Sequence, residues 1–140
     1  MKKMFFFLLT ITLFTGCDCW PSHCFYIQNS IPNSEIVIDF DYVDDSPYAE
    51  AEENRNKKYA LNYEEKVLVR VIYPYNSGIA KREPNIFDTF ENFSEGLSFN
   101  LYVNGVKIDK ILYTKEFWQF TSHKGNADYL LVITEDLIQE

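Results

Sequence analysis

The sequence predicts an all-β fold, a single sandwich with little helix. Short apolar runs alternate with polar residues at period two. Clusters of Asn, Ser, Pro and Gly separate those runs and supply turn chemistry. One such separator is Asn104-Gly105, and Asn-Gly between two alternating runs is the strongest short-range hairpin signal.

Each element follows from its own residues. Cys24 to Gln28 is a short strand, and Asn29 to Ser34 is a turn segment. Glu35 to Val43 alternates: Ile36, Ile38, Phe40 and Tyr42 share one face, with Glu35, Asp39 and Asp41 on the other. Asp44 to Lys58 is the most polar stretch and reads as a long solvated loop with one helical turn. Tyr59 to Tyr63 is a short strand. Lys66 to Tyr73 is a strong one, with Val67, Val69, Val71 and Tyr73 on one face and Leu68 and Ile72 partly filling the other.

Pro74 ends that strand, and Asn76-Ser77-Gly78 marks a turn. Ile86, Phe87, Phe90 and Phe93 recur at spacings of three and four, which predicts one or two helical turns capped by Asn85. Leu97 to Val103 and Val106 to Tyr113 flank the Asn-Gly turn as a hairpin. Phe117 to Thr121 is a strand or a helical turn, and Lys124-Gly125-Asn126 is a loop. Tyr129 to Thr134 is apolar on both faces, as a central strand is. About seven or eight such strands with a short helical turn predict one β-sandwich, immunoglobulin-like or related.

The first residues carry a different message. Met1-Lys2-Lys3 precedes an apolar run from Met4 to Phe14, broken only by Thr10 and Thr12. A basic start and roughly 7–15 apolar residues make a secretory signal. A membrane span needs about 20. The run ends in Thr15-Gly16-Cys17. This ending resembles the lipobox of bacterial lipoproteins, in which a small residue precedes the cysteine that is acylated before cleavage. Phe14 departs from the usual leucine, which stands one place earlier at Leu13.

The resemblance implies residues 1–16 as a removed signal, lipidation of Cys17 with two or three palmitate-type acyl chains, a tether over 17–23 and the sandwich over 24–140. One chain binds a membrane only reversibly, while two or more hold it stably. The expected location is therefore the cell envelope, lipid-anchored and at the outer membrane, with the periplasmic or outer face left open. Asp18 bears on sorting between membranes.

Charge and cysteines narrow the partners. Loss of Lys2 and Lys3 takes the formal charge from −8 (13 basic against 21 acidic residues) to −10 (11 against 21). So acidic a domain repels phosphate backbones, and nucleic acid is not an expected partner. With Cys17 acylated, Cys19 and Cys24 remain, a candidate disulfide in an oxidising compartment. Cys19, His23 and Cys24 as metal ligands lack a fourth donor and the usual paired Cys-x-x-Cys spacing.

The layout is also similar to small Bacteroidetes-type lipoproteins. The residues behind that likeness are the early strand ending Ile27-Gln28-Asn29-Ser30, the Phe-rich turn at mid-chain and the closing segment from Tyr129 to Leu137. The likeness implies location and fold class and transfers no site.

Motifs for chemistry are sparse. His23 and His123 each follow a serine, Ser22 and Ser122, but neighbours in sequence point apart, so both read as surface histidines. Neither serine sits in a Gly-x-Ser-x-Gly elbow, and no glycine-rich phosphate loop occurs. No cofactor and no catalytic residue is expected. Asp39, Asp41, Asp44 and Asp45 form a candidate calcium set, since calcium takes six to eight oxygens; the competing reading is a solvated strand face. Aromatic residues make up 17% of the chain, which the core of a β-protein largely absorbs. Tyr102, Tyr113 and Trp118 are the candidates for an exposed platform that stacks on sugar rings. The expected function is a non-enzymatic, membrane-anchored module that meets an envelope or surface protein. The alternative is a carbohydrate-binding module of surface glycan machinery.

Overall fold

The computed structural model describes residues 22–43, 52–72, 97–123 and 126–139. Asp44, Asp45, Tyr73, the turn expected at 76–78, the helical turns expected over 85–93 and Cys17, the expected lipidation site, lie outside them. Among the described residues eight strands form two four-stranded sheets: β1 (His23–Asn29), β2 (Ile36–Phe40), β3 (Lys58–Leu61), β4 (Lys66–Ile72), β5 (Phe99–Val103), β6 (Val106–Ile108), β7 (Trp118–His123) and β8 (Asn126–Ile133). One sheet runs β4-β1-β8-β7, the other β3-β2-β5-β6. A five-residue helix, α1 (Glu135–Gln139), follows β8. The all-β sandwich expected from the sequence is what forms. No helix among the described residues is long and apolar enough to cross a membrane.

Alternation builds the core. Phe25 and Ile27 of β1, Ile36, Ile38 and Phe40 of β2, Leu101 of β5, and Tyr129, Leu131 and Ile133 of β8 are all buried and meet in one cluster between the sheets. Each such side chain contributes roughly 1.5–3 kcal/mol by leaving water. β1 lies antiparallel to β4 and parallel to β8, so the first and last strands are neighbours. β8 is an inner strand, as its two apolar faces predict. Asn104 (φ 49°) and Gly105 (φ 82°) make the tight turn of the β5–β6 hairpin, whose two positive φ values are those of a type I′ turn.

Buried polar groups join the layers. Asn29, fully buried at the end of β1, donates from Nδ2 to Ser34 O (3.0 Å) and Leu61 O (3.1 Å) and accepts from Ile31 N (2.9 Å). Every hydrogen-bonding atom of that amide is engaged, which a buried amide requires. Asn54 sits beside the outer edge of β4 and bonds both backbone groups of Val71, N–H at 2.9 Å and C=O at 2.7 Å. It closes that rung of an open sheet edge.

Four expectations need correction. Tyr42 was expected to share the buried face of Phe40, but β2 ends at Phe40 and Tyr42 is exposed. β4 does not alternate through its length. Tyr26 pairs with Leu68 while Phe25 pairs with Arg70, so Val69 is the extra residue of a bulge, and Val69, Arg70 and Val71 are buried in succession. His23 was placed in the tether and read as a surface residue. It opens β1, pairs with Ile72 and Ala127, and is 3% exposed, its Nδ1 3.1 Å from the Tyr129 hydroxyl. Trp118 is in the core, 7% exposed, edge-on to Phe25, with Nε1 donating to Leu112 O at 3.1 Å. An indole whose N–H finds a buried carbonyl is stable inside.

Candidate functional site

The candidate site is an open cleft of about 310 Å³ at one end of the β2–β5–β6 sheet. Three pieces of chain shape it. β5 and the residue before it form the floor, with Ser98, Phe99 and Asn100. Asp41, just past β2, stands on one side. The chain leaving β6, from Lys107 to Tyr113, makes the other.

Strand periodicity places the polar groups. Along β5, Phe99 and Leu101 are buried, so Asn100 lies on the outer face, and Ser98 shares its parity. Asp41 follows the buried Phe40 by one residue and joins them. Its Oδ1 accepts from Asn100 Nδ2 at 3.0 Å, and its Oδ2 accepts from the Ser98 hydroxyl. Two donors fix this carboxylate although it is exposed. Asp109 and Lys107 add charges of both signs, and Lys110 lines the cleft with its Nζ donating to Leu137 O at 2.6 Å. Ile108, Ile111 and Tyr113 supply the apolar part, and the Tyr113 ring packs edge-on to Phe99 at 6.3 Å.

The cleft draws one residue from each of two sequence-derived sets, Asp41 from the acidic series and Tyr113 from the aromatic set. Asp39 lies nearby on β2, ion-paired with Lys58 at 3.2 Å, and its Oδ1 is buried without a hydrogen-bond partner. No group of three or more metal-ligating side chains occurs among the described residues, and Asp44 and Asp45 lie outside them. Tyr102 is on the outer face of β5, two residues from Asn100, but does not line the cleft. Trp118 is buried elsewhere, so the three aromatics make no common platform.

The remaining candidates fall apart in space. Cys24 is a free, half-buried thiol within 3.8 Å of the Ser22 hydroxyl, and burial pushes its pKa up; Cys19 lies outside the described residues. His23 is committed to Tyr129, and burial lowers its pKa. His123 closes β7 opposite Asn126. Sequence reasoning missed Ser98, Asn100, Lys107 and Asp109. The polar side of the Leu97–Val103 alternation was a usable signal, but only register places that side against Asp41.

Chemically the cleft offers a pinned acceptor, an amide, the Lys107 amine and one aromatic wall. These are groups that hold a ligand. No protein-family model, curated protein or solved structure matches the chain.

Proposed function

We propose that this chain is an exported lipoprotein, held in the cell envelope at the outer membrane by acyl chains on Cys17, and that it serves as a non-enzymatic interaction module. The Lys2-Lys3 start, the apolar run and Gly16-Cys17 support the export and anchoring. One observation carries the module reading: Asp41, Asn100 and Tyr113, remote in sequence, converge on one open cleft. The carboxylate there is held by Ser98 and Asn100, with no imidazole or thiol among the lining residues. The arrangement presents hydrogen-bonding groups and an aromatic surface to something that arrives from outside.

A photo-reactive side chain at Ile111, 60% exposed on the cleft wall, tests the reading in native membranes. The same group at Tyr63, also exposed and not part of the lining, is the control. An adduct from position 111 and none from 63 is the expected result. No adduct at 111, or equal adducts at both, contradicts the cleft as the working surface.

A further inference from the structure

We propose that the cleft binds a neutral saccharide of one or two rings. The proposal deepens the reading of this cleft as the interaction site and rests on it.

The cleft exists because a ladder stops early. Asp41 N–H donates to Ser98 O, and Asn104 N–H donates to Glu35 O, each at 2.9 Å. Ser98, Asn100, Tyr102 and Asn104 therefore turn their backbone groups toward β2. In an antiparallel sheet the intervening residues turn theirs the other way, so Phe99 and Leu101 face β6. Leu101 meets Ile108 there. The next rung would join Phe99 to Lys110, and no backbone bond joins them. Lys110 is drawn elsewhere, its Nζ donating to Leu137 O at 2.6 Å. Two residues on, Leu112 is buried and its carbonyl is held by Trp118. The chain is crossing from one sheet to the other, and the mouth opens behind it.

One open rung sets the size of the occupant. An added peptide strand draws its affinity from a series of main-chain bonds. A single rung cannot supply a series, so the geometry favours a compact ligand. The volume agrees: about 310 Å³ is at the small end of ligand pockets.

Charge and shape set its chemistry. Asp41 and Asp109 face Lys107 around the wall, while the Lys110 amine is held at Leu137 O, so no excess of positive charge is there to select an anion. The Asp41 oxygens keep lone pairs beyond those used by Ser98 and Asn100 and accept from hydroxyls. The Phe99 N–H and C=O have no backbone partner on that edge among the described residues and put a donor and an acceptor side by side. Tyr113, Ile108 and Ile111 offer apolar surface. A sugar ring has this combination: an edge of hydroxyls that both donate and accept, and a C–H face that packs on an aromatic ring.

The test uses the full-length lipoprotein in a detergent without a sugar headgroup, applied to an array of neutral, acidic and basic glycans. Retained glycans are then titrated calorimetrically. The expected result is retention of neutral glycans, with Kd weakened about tenfold or more by Asp41→Asn and by Tyr113→Ala. Asp41→Asn keeps size and lies on the surface, so it reads binding even if Tyr113→Ala disturbs the packing on Phe99. Retention of acidic or basic glycans alone, retention of none, or binding unchanged by Asp41→Asn overturns the proposal. The Ile111 adduct separates the two levels. A protein adduct without glycan retention removes the saccharide and leaves the cleft as the site. Absence of both removes both.

Discussion

The Arg70 guanidinium lies 3.6 Å from the centroid of the Phe40 ring, and this contact joins β4 of one sheet to β2 of the other. The same head donates to the carbonyls of Glu53 (3.0 Å), Asn56 (3.1 Å) and Tyr42 (3.0 Å). Arg70 is 4% exposed, and burial lowers its pKa while the neighbouring Tyr59 works the other way. A forked donor over an aromatic face uses what distinguishes arginine from lysine.

Replacement of Arg70 is expected to loosen the 52–56 turn and the end of β2 together. Arg70→Ala removes the guanidinium donor from the Asn56 and Tyr42 carbonyls, leaves Glu53 O with the donors from the Tyr59 hydroxyl and Asn56 N–H, and opens a void over Phe40. The expected loss is about 2–4 kcal/mol of unfolding free energy. Arg70→Lys restores charge without the fork and recovers only part. Urea titrations of the three proteins check this, and a loss below about 1 kcal/mol for Arg70→Ala would show that the contact adds little.

His23 predicts an acid-sensitive fold. Burial lowers its pKa from 6.5, so the native state holds this imidazole neutral. Between the lowered pKa and 6.5 the unfolded chain binds more protons than the folded one. Stability from this group is therefore complete above about pH 7 and falls as pH drops through 6.5 toward the lowered value. His23→Gln is expected to flatten the stability profile from pH 6.5 down toward the lowered pKa of His23. An unchanged slope in that variant would assign the acid sensitivity elsewhere.

Gly105 tests the hairpin. Its φ of 82° suits glycine, and open space surrounds the position where a Cβ would stand. Any penalty for Gly105→Ala is then conformational, about 1 kcal/mol, with no steric part. A D-alanine introduced by semisynthesis is expected to be at least as stable as the native protein. Equal destabilisation by both enantiomers would contradict the backbone explanation.

Local signals were legible where neighbours along the chain decide the outcome. Ile36, Ile38 and Phe40 alternate into the core, and Asn104-Gly105 turns the hairpin they flank. What escaped depends on partners far away in sequence. The bulge at Val69 breaks the parity of β4 and carries Arg70 inward, and only the pairing with β1 reveals it. His23 looked like part of a tether because its burial comes from Tyr129, 106 residues on. Trp118 looked like a platform because nothing along the chain shows Phe25 of β1 meeting its ring edge-on. Asp41 and Tyr113 were each singled out, but for separate reasons. Their meeting needs β2 beside β5 and a β6 that departs after Ile108.

The anchor is tested most directly by fractionating cells that carry the native chain beside cells that carry Cys17→Ala. If acyl chains rather than charge hold it, native protein is expected in the membrane fraction, released by detergent and not by high salt. Cys17→Ala is expected to leave that fraction. Identical fractionation of the two proteins would contradict lipid anchoring at Cys17, and with it the placement of this module in the envelope.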